Sequence, residues 1–79
     1  MVINIMEYRD FVRSIGLKIS YYRKSKGLTQ ENLADLVEIS PHYMGQIEAP
    51  NVFKCPSLKL LLQIANALDI PVYKLLKFD

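Results

Sequence analysis

Few side chains in this sequence could make or break bonds. It holds one histidine, His42, and one cysteine, Cys55. No base is placed by the sequence beside that thiol, so Cys55 reads as a buried or idle group rather than a nucleophile. One histidine and one cysteine are also too few soft ligands for a structural zinc, and neither paired carboxylates nor a phosphate loop can be assembled around them. The sequence does not read as an enzyme, and no metal or cofactor is implied. What remains is hydrogen-bonding chemistry. At about 100° per residue, a helix over Pro41 to Glu48 sets Met44 and Ile47 on one side and His42, Gly45 and Gln46 on the other. The Gln46 amide carries a donor and an acceptor in one plane, the pattern that matches N6 and N7 of adenine, and His42 one turn earlier can donate to a guanine acceptor. Such a face either reads base edges or is merely solvated.

Further candidates stand around it. Pro41 has no amide hydrogen and could offer a base only apolar contact, for example with a thymine methyl group. Tyr43 lies about 70° from the core direction on the same wheel and either packs at the rim or turns its hydroxyl toward phosphate or base. Gly45 costs about 1 kcal/mol against alanine in a helix interior; close approach to a nucleic-acid backbone and simple surface tolerance both account for it. Gln30 opens another helix, where free amides and the positive dipole end favour a phosphate, unless it is a solvated first-turn residue. Lys24, Lys26 and Lys54 are candidates for phosphate neutralisation, and equally ordinary surface lysines.

These residues need elements to place them. Asn4 and Glu7 have capping-box spacing, and Tyr8, Phe11, Val12, Ile15, Ile19 and Tyr22 then recur at steps of three and four, the period of one helix face. This long first helix should stop at Ser25-Lys26-Gly27, with Gly27 in the left-handed C-terminal conformation. Thr29 caps a short helix from Gln30 to about Val37, whose apolar face is Leu33, Leu36 and Val37. Ser40 caps the next, and Pro41 takes its first position, where a missing amide hydrogen costs nothing. Only Glu38 and Ile39 separate the two, so they must cross at a large angle as a helix-turn-helix. Ala49 to Pro56 reads as a loop. Ser57 then caps a fourth helix carrying Leu58, Leu61, Leu62, Ala65 and Leu68 at helical spacing, with Leu60, Leu61 and Leu62 assigned to the core, and Pro71 opens a last short helix through Val72, Leu75 and Leu76. The sum is five helices and no strand, an all-α fold.

The string Gly27-Leu28-Thr29-Gln30-Glu31-Asn32-Leu33-Ala34, followed by Ile39-Ser40 and then by Met44, Ile47 and Glu48, resembles the Cro/repressor (XRE) helix-turn-helix family. Pro56-Ser57-Leu58 and Ile64-Ala65-Asn66-Ala67-Leu68 extend the resemblance to roughly residues 15 to 76. It implies a compact five-helix lambda-repressor-like DNA-binding domain, here residues 1–79 with the motif at 29–49, whose third helix enters the major groove. It also implies double-stranded DNA as partner, a repressor-like transcriptional role, and a homodimer on a near-palindromic operator. The family's base-contacting positions fall on Pro41, His42 and Gln46, and Gln30, Ser40, Tyr43 and Lys54 complete the expected DNA-binding set. The glutamine matching Gln30 also braces the third helix. Arg23 and Glu48 match a structural pair between the first and third helices, and Ala34 is small where the second and third cross. One departure is visible: the family usually follows Ile-Glu with a basic residue and glycine, whereas this chain has Ala49-Pro50 and a slightly longer loop.

Seventy-nine residues are about half of a typical ~150-residue domain, so one small domain is expected, with no room for a second, sensory or catalytic one. Hydrophobic residues at 51%, with three Gly and four Pro, exclude a disordered or low-complexity chain. A single cysteine cannot form an internal disulfide, which points to a reducing, cytoplasmic setting, and no apolar run approaches the ~20 residues of a membrane span. Ten Lys and Arg against eight Asp and Glu give +2, compatible with a polyanionic partner without indicating one. Any basic patch must come from folding. The competing reading is a protein-interaction module, an antitoxin-like partner protein using Val2, Ile3, Ile5 and the tail Tyr73 to Phe78 as its surface. That tail carries more apolar groups than one short helix can turn inward. Tyr73, Leu76 and Phe78 are therefore expected near a homodimer axis, the alternative being that they finish the monomer core.

Overall fold

The computed structural model describes the backbone of residues 5–77 and the side chains of residues 7–77. The expected Asn4 cap, Val2, Ile3, the Ile5 side chain and Phe78 lie outside the described residues. Among the described residues five helices follow one another: α1 (Ile5–Ser25), α2 (Gln30–Leu36), α3 (Pro41–Glu48), α4 (Leu58–Ala67) and α5 (Tyr73–Leu76). No strand occurs among the described residues. At 1.5 Å per residue α1 is about 31 Å long, so it runs along most of the 36 Å length of the molecule.

Helices α2, α3 and α4 start where hydroxyl side chains can satisfy free amides, whereas α5, expected to open at Pro71, begins at Tyr73 after Val72 with no side-chain cap. Thr29 Oγ1 accepts from the Asn32 amide at 3.0 Å, and Asn32 Oδ1 returns the bond to the Thr29 amide, so α2 opens with a capping box built on asparagine. Ser40 accepts from the Tyr43 amide at 3.0 Å and Ser57 from the Leu60 amide at 3.1 Å. Three helices end in one motif. Leu28 N–H bonds the Arg23 carbonyl and Gly27 N–H that of Lys24; Ile39 and Glu38 repeat this on Ala34 and Asp35, and Ile70 and Asp69 on Ala65 and Asn66. Each is a Schellman end, which needs one residue in the left-handed region. Gly27 supplies it at φ 72°, but Glu38 at φ 60° and Asp69 at φ 57° supply the other two.

Ile15 and Ile19 of α1, Leu33, Ala34 and Val37 from the α2 region, Met44 and Ile47 of α3, Leu60, Leu61, Ile64, Ala65 and Leu68 around α4, and Leu75 of α5 form one buried cluster. Helix α1 packs on α3 and α5, and α2 packs on α3 and α4. The expected face of α4 needs correction. Leu58 and Leu62 are 65% and 49% exposed, because Leu61, Ile64, Ala65 and Leu68 already form the inward stripe and Leu62 lies about 100° round from Leu61. Leu60, from the flank of that stripe, is buried in its place. Tyr8 and Leu36, also expected on apolar faces, are exposed. Leu33 and Val37 take the inward positions of α2, and Tyr8 lies a turn ahead of Val12 and Ile15, where α1 enters the core.

Gly16 explains how α1 and α3 come so close. It is buried, and a Cβ there would overlap the Ile47 carbonyl oxygen. Only glycine lets the two backbones meet at this point.

Candidate nucleic-acid interface

Helix α3 is presented by its ends. Its buried residues are Met44, Ile47 and Glu48, which leaves Pro41 and His42 exposed and Tyr43, Gly45 and Gln46 half-buried. At its C-terminal end Glu48 receives a bidentate grip from Arg23, with Nε to Oε2 at 2.8 Å and Nη2 to Oε1 at 2.9 Å. Arg23 Nη1 donates to the Leu28 carbonyl at 2.8 Å, and Gln30 Nε2 donates to Glu48 Oε1 at 3.1 Å. One carboxylate thus joins α1, the α1–α2 connection, α2 and α3. Burying two charges is tolerable only when their hydrogen bonds are made. That condition holds: among the described residues no buried side-chain nitrogen or oxygen lacks a partner.

The same network occupies Gln30. One of its amide hydrogens goes to Glu48, while its Oε1 lies 3.5 Å from where a Cβ of Gly45 would stand. Gly45 therefore faces the Gln30 side chain at ordinary van der Waals range. The backbone of Gln30, the first residue of α2, still offers an amide of the first turn. Ser40 caps α3 through its hydroxyl and is an exposed residue next to Pro41 and His42.

The loop after α3 closes on both neighbours. Lys54 Nζ lies 5.7 Å from the Tyr43 ring centroid. Arg13 Nε donates to the Pro50 carbonyl at 3.0 Å, and Arg9 and Arg13 stand over the Phe53 ring at 5.3 and 5.2 Å. These two arginines were legible only as polar residues of α1, and nothing in the sequence spacing joins them to Phe53. Cys55 is exposed rather than buried, and its thiol, next to Tyr8, holds the Tyr8 hydroxyl above the ordinary tyrosine range. Lys24, in the last turn of α1, and Lys26, just after that helix, are exposed. Of the residues expected at a dimer axis, Tyr73 is 63% exposed and Leu76 half-buried; their neighbour Leu75 belongs to the core and is fully buried.

Among the described residues no cluster of His, Cys, Asp and Glu could hold a metal, and no helix is long and apolar enough to cross a membrane. The tight α2–α3 connection, the capped outward face of α3 and the five-helix packing define a helix-turn-helix domain of the DNA-binding kind. The helix-turn-helix family matches residues 19–75, and the chain belongs to it, in its Cro/repressor (XRE) branch.

Among similar proteins is the HTH-type transcriptional regulator SinR of Bacillus subtilis, 36% identical over 62 residues, which cover 78% of this chain and 55% of SinR. The chain thus spans about half the length of the curated relatives it matches. The solved restriction-modification controller protein C.AhdI from Aeromonas hydrophila superposes with a TM-score of 0.74 at 34% identity, covering 81% of this chain and 94% of that one. SinR, described as a master regulator for biofilm formation and solved in complex with DNA, superposes at 0.73 with 35% identity, covering 80% of this chain and 98% of that one.

Proposed function

We propose that this chain is a sequence-specific transcriptional regulator that reads double-stranded DNA with α3 in the major groove. The observation that carries this reading is the division of α3. Met44, Ile47 and Glu48 anchor it inward, and His42 and Gln46 are left on the other side with free hydrogen-bonding edges. A helix held by a buried ion pair at one end and a serine cap at the other presents those edges with little freedom, which is what base readout needs. Gln30, Ser40, Tyr43 and Lys54 surround that face and act as phosphate and rim contacts, while Arg23 and Glu48 hold the scaffold. Support comes from the family and from SinR, a relative solved on DNA.

On this reading residues 1–79 form a single domain with its motif at 29–49, work in the cytoplasm, and have no enzymatic role. A domain of this size reads too few base pairs for a genomic address, so two copies on half-sites about 34 Å apart give both affinity and specificity. The exposed Tyr73, with Leu76, then lies near the axis of a homodimer on a near-palindromic operator.

Selection of bound sequences from a random DNA pool tests the whole reading. A consensus with two-fold symmetry and log-linear weakening in salt is the expected result. A monomer on its best site, with no symmetry in the selected sequence, ends the dimer assignment. Failure to enrich any sequence ends the DNA-reading assignment.

A further inference from the structure

The turn between α3 and α4 is fastened to α1 by contacts that the core does not require. Arg13 holds the Pro50 carbonyl, and the guanidinium groups of Arg9 and Arg13 both lie within the roughly 6 Å at which an aromatic ring attracts a cation. Two like charges at one ring repel each other. Asp10, whose carboxylate is 3.2 Å from Arg13 Nη1, moderates that repulsion. Phe53 itself stands at φ 58°, a left-handed conformation that strains a bulky residue and persists only where the surroundings enforce it. A turn that needed this conformation alone would be better served by glycine or asparagine. The ring therefore contributes something that the backbone does not. The next residue is Lys54, whose ammonium rests near the Tyr43 ring on α3.

We propose that Phe53 is a positioning residue for DNA binding: gripped by Arg9 and Arg13, it sets the turn so that Lys54 is held against Tyr43 at the edge of α3. The phosphate-binding half of this proposal rests on the reading of Lys54 given above; the positioning half stands on the free protein. A lysine already ordered beside the reading helix loses less side-chain freedom when it meets a phosphate than one on a loose loop. Arg9 and Arg13 thereby act on binding from α1 through the ring.

The test has an arm without DNA and an arm with it. In nuclear magnetic resonance spectra of the whole free chain, the Lys54 side-chain protons should show contacts to the Tyr43 ring. Phe53→Asn, which tolerates the left-handed backbone but lacks the ring, should abolish them while the amide signals of α3 keep their pattern. Phe53→Tyr should retain them, and Arg9→Ala, which leaves the turn's own sequence intact, should weaken them. Contacts that persist in Phe53→Asn overturn the positioning role, whatever the protein does with DNA.

On a duplex recovered by selection, Lys54→Ala should lower affinity about two- to fivefold, as for an exposed ion pair. It should also reduce the salt slope by about 0.9. Phe53→Asn should reproduce both effects, and the double variant should be no weaker than either single one. Additive losses overturn the proposal. Unchanged affinity and slope in Lys54→Ala overturn the phosphate reading instead, an outcome told apart because the contacts in the free protein would still follow Phe53.

Discussion

Gly16 of α1 faces the Ile47 carbonyl of α3 with no room for a side chain between them. Ile47 is itself buried in the core, and Glu48, the next residue, is the anchor of the Arg23 network. The crossing of α1 and α3 is therefore set where backbone meets backbone, one residue from the ion pair that fixes the end of the proposed reading helix.

Gly16→Ala and Gly45→Ala are expected to act in opposite directions. Alanine gains up to about 1 kcal/mol over glycine in a helix interior. At position 45 the added methyl group meets only Gln30 Oε1 at 3.5 Å, so that gain should appear as higher stability. At position 16 the methyl group meets a main-chain oxygen, and forcing the helices apart should cost about 1–3 kcal/mol net, as overpacking does. Urea unfolding of both variants checks this. Equal effects at the two sites would show that α1 and α3 are not in backbone contact.

Glu48→Ala should destabilise the free protein by about 3–5 kcal/mol, because it leaves the Arg23 charge buried with only the Leu28 carbonyl and removes the acceptor of Gln30. For a domain of this size that is a loss of more than 10 °C in melting temperature, at about 4–8 °C per kcal/mol. Replacing Arg23 and Glu48 together by methionine should recover a large part of the loss, since no charge is then left without its partner. A double variant as unstable as Glu48→Ala would mean that the network is needed for more than mutual neutralisation.

Helices α2, α3 and α4 were legible because their starts are written in single residues. Thr29, Ser40 and Ser57 each precede an apolar run at helical spacing, and each side chain accepts the amide hydrogen bond that such a position requires. Gly27 marked one helix end for the same reason. The ends at Glu38 and Asp69 carry no such mark, since their left-handed residues are not glycine and tertiary packing holds them there. On α4, periodicity could not choose between neighbouring stripes in the run Leu60-Leu61-Leu62, where every option is apolar. The division of α3 into a buried and a polar side followed from the wheel. The pairing of Arg23 with Glu48 did not, because residues 25 positions apart are joined only by the fold; it came from the resemblance. Gly16 and Phe53 were passed over, and Arg9 and Arg13 read only as charged residues of the first helix, since their roles depend on what lies across from them.

Glu38→Gly follows from those unmarked ends. Glu38 is exposed and holds φ 60°, which costs a residue with a Cβ about 1–2 kcal/mol. Glycine removes that strain but gives the unfolded chain about 0.4–1 kcal/mol of extra freedom. The net expectation is a gain of about 0.5–1 kcal/mol with an unchanged helical spectrum, read by thermal or urea unfolding. A loss of stability would mean that the Glu38 side chain contributes more than its backbone strain takes away.

The DNA-reading assignment separates Gln46 from Gln30. Both are half-buried glutamines, but Gln46 lies on the polar side of α3 while Gln30 donates to Glu48 from the start of α2. Removing a bidentate base contact discards about 1–3 kcal/mol of discrimination, so Gln46→Ala should relax preference at one base pair in each half-site and leave the melting temperature of the free protein nearly unchanged. Removing a phosphate contact carries no sequence information. Gln30→Ala should therefore weaken binding to all duplexes alike, and it should also lower stability modestly, by about 0.5–1.5 kcal/mol for the lost hydrogen bond to Glu48. Selection from a random pool, run side by side on the two variants and the parent chain, distinguishes them. An unaltered consensus for Gln46→Ala would move base reading to other residues of α3, and an altered one for Gln30→Ala would mean that Gln30 reads sequence, either directly or by tilting α3 through Glu48.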